Sequence, residues 1–120
     1  MNAEIFPFKV GTFECFAVND GFGTYPNPAR VFFADAPQDL LTKVLIEHNI
    51  EPEEWTEWVS PFICLLIRTD KHLVLVDTGY GVVDFMPTAG RLVQNLQLLS
   101  ITPQEIDTVV LTHGHRDHLY

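Results

Sequence analysis

Three of the five histidines in this 120-residue chain, His113, His115 and His118, fall with Asp117 inside one six-residue window of the closing run VVLTHGHRDHLY. Imidazole nitrogen and carboxylate oxygen are the donors that hold divalent ions such as zinc. On an extended backbone, residues two apart project to the same side, so His113 and His115 can address one ion while the chain turns. Asp117 and His118 lie past that turn and can supply an oxygen and a nitrogen to a second ion close by, the arrangement a two-metal hydrolytic site requires. Gly114 keeps the spacer small. The bland alternative is a polar loop that happens to hold three histidines; their scarcity elsewhere and their place directly after a buried-type strand weigh against it. The other two, His48 and His72, read as structural: His48 as a charge near a helix C-terminus, His72 as an exposed turn residue.

Elements must deliver this cluster. Asp107 to Thr112 (DTVVLT) reads as the strand that ends at it. Before that strand, Thr102, Pro103 and Glu105 match a capping box with proline at the first helical position. Thr88 to Leu99 reads as a helix with Leu92, Val93, Leu96 and Leu99 on one face. Phe62 to Arg68 and Leu73 to Val76 read as a hairpin around the turn Thr69 to His72, and their near-continuous apolar character predicts cover on both faces. Asp77 follows the second strand, where its plainest reading is a strand-end turn residue.

Further upstream, Leu40, Leu41, Val44, Leu45 and Ile46 recur at helical spacing, so a helix should run from about Pro37 to Asn49. Phe6 to Asp20 alternates as one long or bent strand, with Gly11 as a bulge. The stretch from Gly21 to Pro28 is too densely punctuated for regular structure. Trp55 and Trp58 could line a pocket mouth, but core anchoring is the stronger reading for large aromatics.

Apolar residues make up 47% of the chain, enough for a core, and the length is that of one domain or part of one. A net charge of −9 without a basic cluster repels a phosphate backbone, so nucleic acid is excluded as a partner. No stretch approaches a membrane span and the start lacks a secretory signal, which predicts a cytoplasmic protein without membrane partners. Cys15 and Cys64 sit singly in apolar segments and read as buried thiols rather than a disulfide.

THGHRDH matches an H-x-H-x-D-H signature and resembles the metallo-β-lactamase superfamily. The resemblance extends over FICLLIRTDKHLVLVDTGYG and RLVQNLQLLSITPQEIDTVVLTH, and it looks most like the branch with lactonase-like and organophosphate hydrolase-like members. It implies an α+β fold, the amino-terminal half of a four-layer αββα sandwich, with residues 1–120 forming a partial domain. It makes His113 and His115 ligands of one metal and Asp117 and His118 ligands of a second, with Asp117 also placed to accept a proton. Asp77, in V-D-T-G, becomes the supporting residue that orients a ligand.

The implied activity is a zinc-dependent hydrolase with two metals per complete site, in which a shared hydroxide attacks a carbonyl or phosphoryl centre of a small ester or lactone. Iron or manganese suits the same ligands, which keeps an iron-dependent oxidoreductase open. Family members run on for a comparable length and supply further ligands. The resemblance therefore implies that this stretch alone is inactive: a sequence cut short, a half completed by another chain or a homodimer, or a non-catalytic assembly partner. The end at Tyr120, two residues after the motif, favours the first.

Overall fold

The computed structural model describes residues 4–120. Five strands form one mixed sheet in the order β1-β2-β3-β4-β5: β1 Ile5–Val10, β2 Phe13–Pro26, β3 Glu57–Arg68, β4 Leu73–Val76 and β5 Thr108–Val110. Four helices accompany them: α1 Pro28–Phe32, α2 Gln38–Glu47, α3 Leu92–Leu98 and α4 Arg116–Leu119, with a 3-10 turn at Pro103–Glu105. The fold is α+β.

The amino-terminal segment is two strands, not one long one. β1 and β2 pair antiparallel from Ile5 opposite Val18 to Val10 opposite Phe13, which leaves Gly11 and Thr12 as a two-residue turn. Gly11 has φ +60°, the sign that such hairpin turns require. β2 also continues through the glycine-rich stretch to Pro26, where sequence punctuation predicts a loop. Gly21 explains part of this, because a Cβ there would stand 2.2 Å from the carbonyl oxygen of Thr88. The glycine serves close approach of two backbones rather than a turn.

Residues 4–23 and 61–120 belong to one compact unit. Its core joins Val18, Cys64, Leu66 and Leu75 of the sheet to Leu92, Leu96 and Ile101. Burial of side chains of this size stabilises by about 1.5–3 kcal/mol each. β3 buries Phe62, Cys64 and Leu66 in alternation, while Ile63 between them is exposed. Among the described residues this strand is therefore covered on one face, not on both as its apolar run predicts. β4 pairs antiparallel with β3, closed by the turn in which Thr69 and His72 bond each other, and parallel with β5. α3 starts at Leu92, later than the periodicity predicts, because Gly90 at φ +83° precludes a helical approach. Leu92, Asn95 and Leu96 form its buried face, and Val93 is exposed.

The other unit, residues 24–60, carries α1 and α2. Both α2 and α3 end in a Schellman motif: Ile50 N–H reaches Leu45 O and Asn49 N–H reaches Ile46 O, while Ile101 N–H reaches Leu96 O and Ser100 N–H reaches Gln97 O. Asn49 and Ser100 take the left-handed conformation at φ +59° and +57°. His48 is the exposed C-cap of α2. Trp58 is 40% exposed, and with Trp55, Phe32 and Phe33 it lines an open apolar cavity of about 280 Å³. The tryptophans are thus surface-cavity walls rather than core anchors. Large rings that pack edge to face against one another, as Phe32 and Trp58 do at 4.8 Å, bury their contacts without entering the core.

Candidate metal centre

The parallel pair β4–β5 brings two strand ends together. Past its last ladder pair, Asp77 N–H still reaches Val110 O at 2.8 Å, so Asp77 and Thr112 leave the sheet side by side. Asp77 sits at φ +61°, a conformation that Asp tolerates better than most residues. Its side chain turns back into the structure and is only 8% exposed.

That carboxylate is fully engaged. Oδ1 accepts from Thr112 N–H at 2.8 Å, and the Thr112 hydroxyl lies 3.0 Å from Oδ1 and 2.9 Å from Oδ2. Oδ2 also meets His118 Nδ1 at 2.8 Å. Burial pushes the Asp77 carboxyl up, but the hydrogen bonds from Thr112 and His118 outweigh it, and the pKa falls below its ordinary 3.8. Asp77 is therefore ionised at neutral pH and can only accept.

The histidine tautomers follow from that constraint. His118 must donate through Nδ1, which leaves its Nε2 as the ring's second site. The Thr112 hydroxyl has one hydrogen and gives it to Asp77. Its 3.0 Å contact with His113 Nδ1 then requires His113 to donate through Nδ1 as well, which again leaves Nε2 bare. The ring centroids of His113 and His118 stand 3.9 Å apart, and those of His113 and His115 4.8 Å apart.

Asp117 Oδ2 lies 3.2 Å from His118 Nε2. With Nδ1 facing Asp77, the His118 Nε2 and the Asp117 carboxylate present two electron-pair donors side by side. Two ligands of a tetrahedral zinc with bonds of about 2.0–2.1 Å stand about 3.3 Å apart, so this pair fits a shared ion in kind and in separation. The structure brings together the rings of His113, His115 and His118, with Asp117 on His118. It does not bring three or more His, Cys, Asp or Glu side chains to metal-binding spacing anywhere among the described residues.

The backbone holds α4 against the loop that carries Asp77. Thr78 N–H donates to His118 O at 2.9 Å, the Thr78 hydroxyl reaches the same oxygen at 3.3 Å, and Tyr120 N–H donates to Gly79 O at 3.2 Å. The Arg116 guanidinium lies over the Phe85 ring, 5.5 Å from its centroid. His72 stays far from this chemistry, with an exposed side chain 3.9 Å from Asp107. Cys15 and Cys64 are buried free thiols.

Two residues of this region carry no local signal in the sequence. Thr112 reads there only as the end of a strand, and its role as the bridge among Asp77, His113 and His118 depends on parallel pairing with β4. Asp20 reads only as the end of a strand, yet it is buried at the other side of the Asp77 loop.

The sequence model of the metallo-beta-lactamase superfamily matches residues 64–120. No curated protein matches the sequence. Among solved structures, the chain is similar to AidC, a dizinc quorum-quenching lactonase in complex with a product, with 25% identity and a TM-score of 0.75 over 95% of this chain and 37% of that one. It is similar to the hydrolase AbOPH of the beta-lactamase superfamily, with 25% identity and a TM-score of 0.74 over 98% of this chain and 38% of that one. The fold is also shared with a probable metal-dependent hydrolase from Staphylococcus aureus, with 24% identity and a TM-score of 0.66 over 92% of this chain and 41% of that one. The chain thus spans about two-fifths of the length of each. The matched segment, just under half of the chain, holds Asp77 and the histidine cluster, and nearly the whole chain superposes on part of the lactonase and hydrolase structures: the chain is similar to the metallo-β-lactamase superfamily in that segment and shares the fold of these neighbours.

Proposed function

We propose that this chain supplies part of the active site of a metal-dependent hydrolase acting on small esters, lactones or phosphotriesters. The observation that carries the reading is the orientation network: Asp77 and Thr112 occupy Nδ1 of His118 and His113, so both rings keep Nε2 for a ligand. His113, His115, Asp117 and His118 would hold two divalent ions, zinc being the best match to imidazole and carboxylate donors, with remaining ligands from polypeptide outside these residues or from a second copy. Bound there, the ions supply Lewis acidity and a water acidic enough to react near neutral pH.

The chain's own residues have separate tasks. Asp77 fixes the His118 tautomer and ring plane. Thr112 does the same for His113. Asp117 sits where it can hold an ion or take a proton. The lactonase and hydrolase neighbours support a small-molecule substrate, and the net charge of −9 argues against nucleic acid. The described residues include no helix long and apolar enough to cross a membrane. Two free buried thiols are consistent with a reducing compartment, and we assign the protein to the cytoplasm on that basis.

The test is hydrolysis of a panel of lactones, aryl esters, thioesters and phosphotriesters by the metal-loaded protein, with zinc, manganese and iron compared. Hydrolysis of at least one class, lost on chelation and in His118→Ala, is expected. Turnover of none of them with any of the three metals would sink the assignment.

A further inference from the structure

The Asp20 side chain is 1% exposed and gathers four backbone N–H groups from one loop. Oδ2 accepts from Tyr80 at 2.7 Å, Gly81 at 3.3 Å and Gly90 at 3.2 Å, and Oδ1 accepts from Leu92 at 2.9 Å. Its own carbonyl takes Arg91 N–H at 2.9 Å. A carboxylate offers about four acceptor sites, and here each is filled by a donor from residues 80–92. A buried carboxyl group is costly unless its oxygens are hydrogen-bonded, and these converging donors meet that need.

The loop is also shaped around it. Gly79 has φ +78°, and a Cβ at that position would stand 2.5 Å from Asp20 Cγ and 2.6 Å from Oδ2. The carboxylate therefore fills the space that a side chain at position 79 would need. Immediately before Gly79 come Thr78, whose N–H holds His118 O, and Asp77, whose carboxylate holds His118 Nδ1. Gly79 O itself takes the N–H of Tyr120 at the end of α4. Residues 77–79 thus have the histidine cluster on one side and Asp20 on the other.

We infer that Asp20 is a positioning residue for the metal centre: clamped to residues 79–81 and 90–92, it sets the backbone from which Asp77 and Thr78 hold His118. The inference rests on the metal-dependent reading above. Asp20 touches no ligand and acts only through the loop. Since coupling between two sites is reciprocal, a metal held by His118 must in turn steady the Asp20 clamp.

Two measurements on the full chain test this. First, zinc affinity is measured against a competing chelator for the unaltered protein, for Asp20→Asn, and for Leu96→Ala, a core substitution one helical turn beyond Leu92 that lowers thermal stability and leaves every donor and acceptor of the clamp in place. Asp20→Asn replaces one acceptor oxygen with a donor amide in a ring of donors. It is expected to weaken zinc binding roughly 10- to 100-fold, the range for loss of an outer support, while folded Leu96→Ala keeps its affinity. Second, amide hydrogen exchange of the unaltered protein is compared with and without zinc, which needs no variant to fold. The Tyr80 and Leu92 amides should slow when zinc binds, and the His72 amide in the β3–β4 turn should not.

Full zinc affinity in Asp20→Asn, an equal loss in Leu96→Ala, or Tyr80 and Leu92 amides indifferent to zinc would each overturn the role of Asp20 while leaving the metal site standing. An unaltered protein that binds no zinc would instead remove the metal reading, and the inference with it.

Discussion

Thr112 has the largest influence for its size in this site, because one hydroxyl fixes what three other groups can do. Thr112→Val keeps the shape and removes the bridge between Asp77 and His113. It should lower zinc affinity roughly 10- to 100-fold with little change in fold, read by chelator competition and circular dichroism. Cys64 permits a different prediction. Burial first, then the nearby Asp20 and Asp77 charges, raise its pKa from 9.0 to about 12. The folded chain therefore keeps this proton after the unfolded chain has lost it. The associated stability is complete below pH 9 and declines as pH rises from 9 towards 12. Denaturant titrations should show that alkaline decline, and Cys64→Ala should flatten it. Native Cys64 should also resist alkylation at about pH 8 until the chain unfolds. The histidine window was legible in the sequence because its residues lie within six positions of one another. Thr112 and Asp20 were not, since their meaning comes from partners 35 and 60 or more positions away.

Among the elements, α3 and the strand pair it covers follow from hydrophobic spacing, and the Thr102–Glu105 capping box forms with the Glu105 carboxylate accepting Thr102 N–H at 2.7 Å. Boundaries depend on conformation that a pattern does not carry. Gly11 reads equally as a bulge or a turn, and only the pairing of Val10 with Phe13 decides for the turn. Gly90 delays α3 through a positive φ that the flanking apolar period hides. The end of α3 offers a test of such local terms. Ser100 occupies a left-handed position that glycine takes without strain, so Ser100→Gly should stabilise by about 0.5–1 kcal/mol, a rise of a few degrees in the thermal midpoint. A fall instead would mean that the lost backbone freedom outweighs the relieved strain.

Across the whole chain, apolar side chains outnumber what the described core takes in. Val109, Val110 and Leu111 of the strand that leads to the histidines are each about half exposed. Soluble monomers rarely leave a contiguous patch of this kind uncovered. Residues 1–120 alone should therefore bind a hydrophobic dye and associate with rising concentration in sedimentation, and Val110→Lys should reduce both. The apolar run of β3 does not show which face carries such a surplus, because its alternation appears only once register is fixed. One contact between distant parts of the chain also bears on how this sequence can change. Gly79 can have no Cβ because the Asp20 carboxylate fills the space, and that carboxylate keeps its place because Gly79 yields it. The two positions are coupled: Gly79→Ala should damage the protein severely where Asp20 is intact and less in a chain already carrying Asp20→Gly, which clears the side chain but leaves the strain of φ +78°, so their effects will not add.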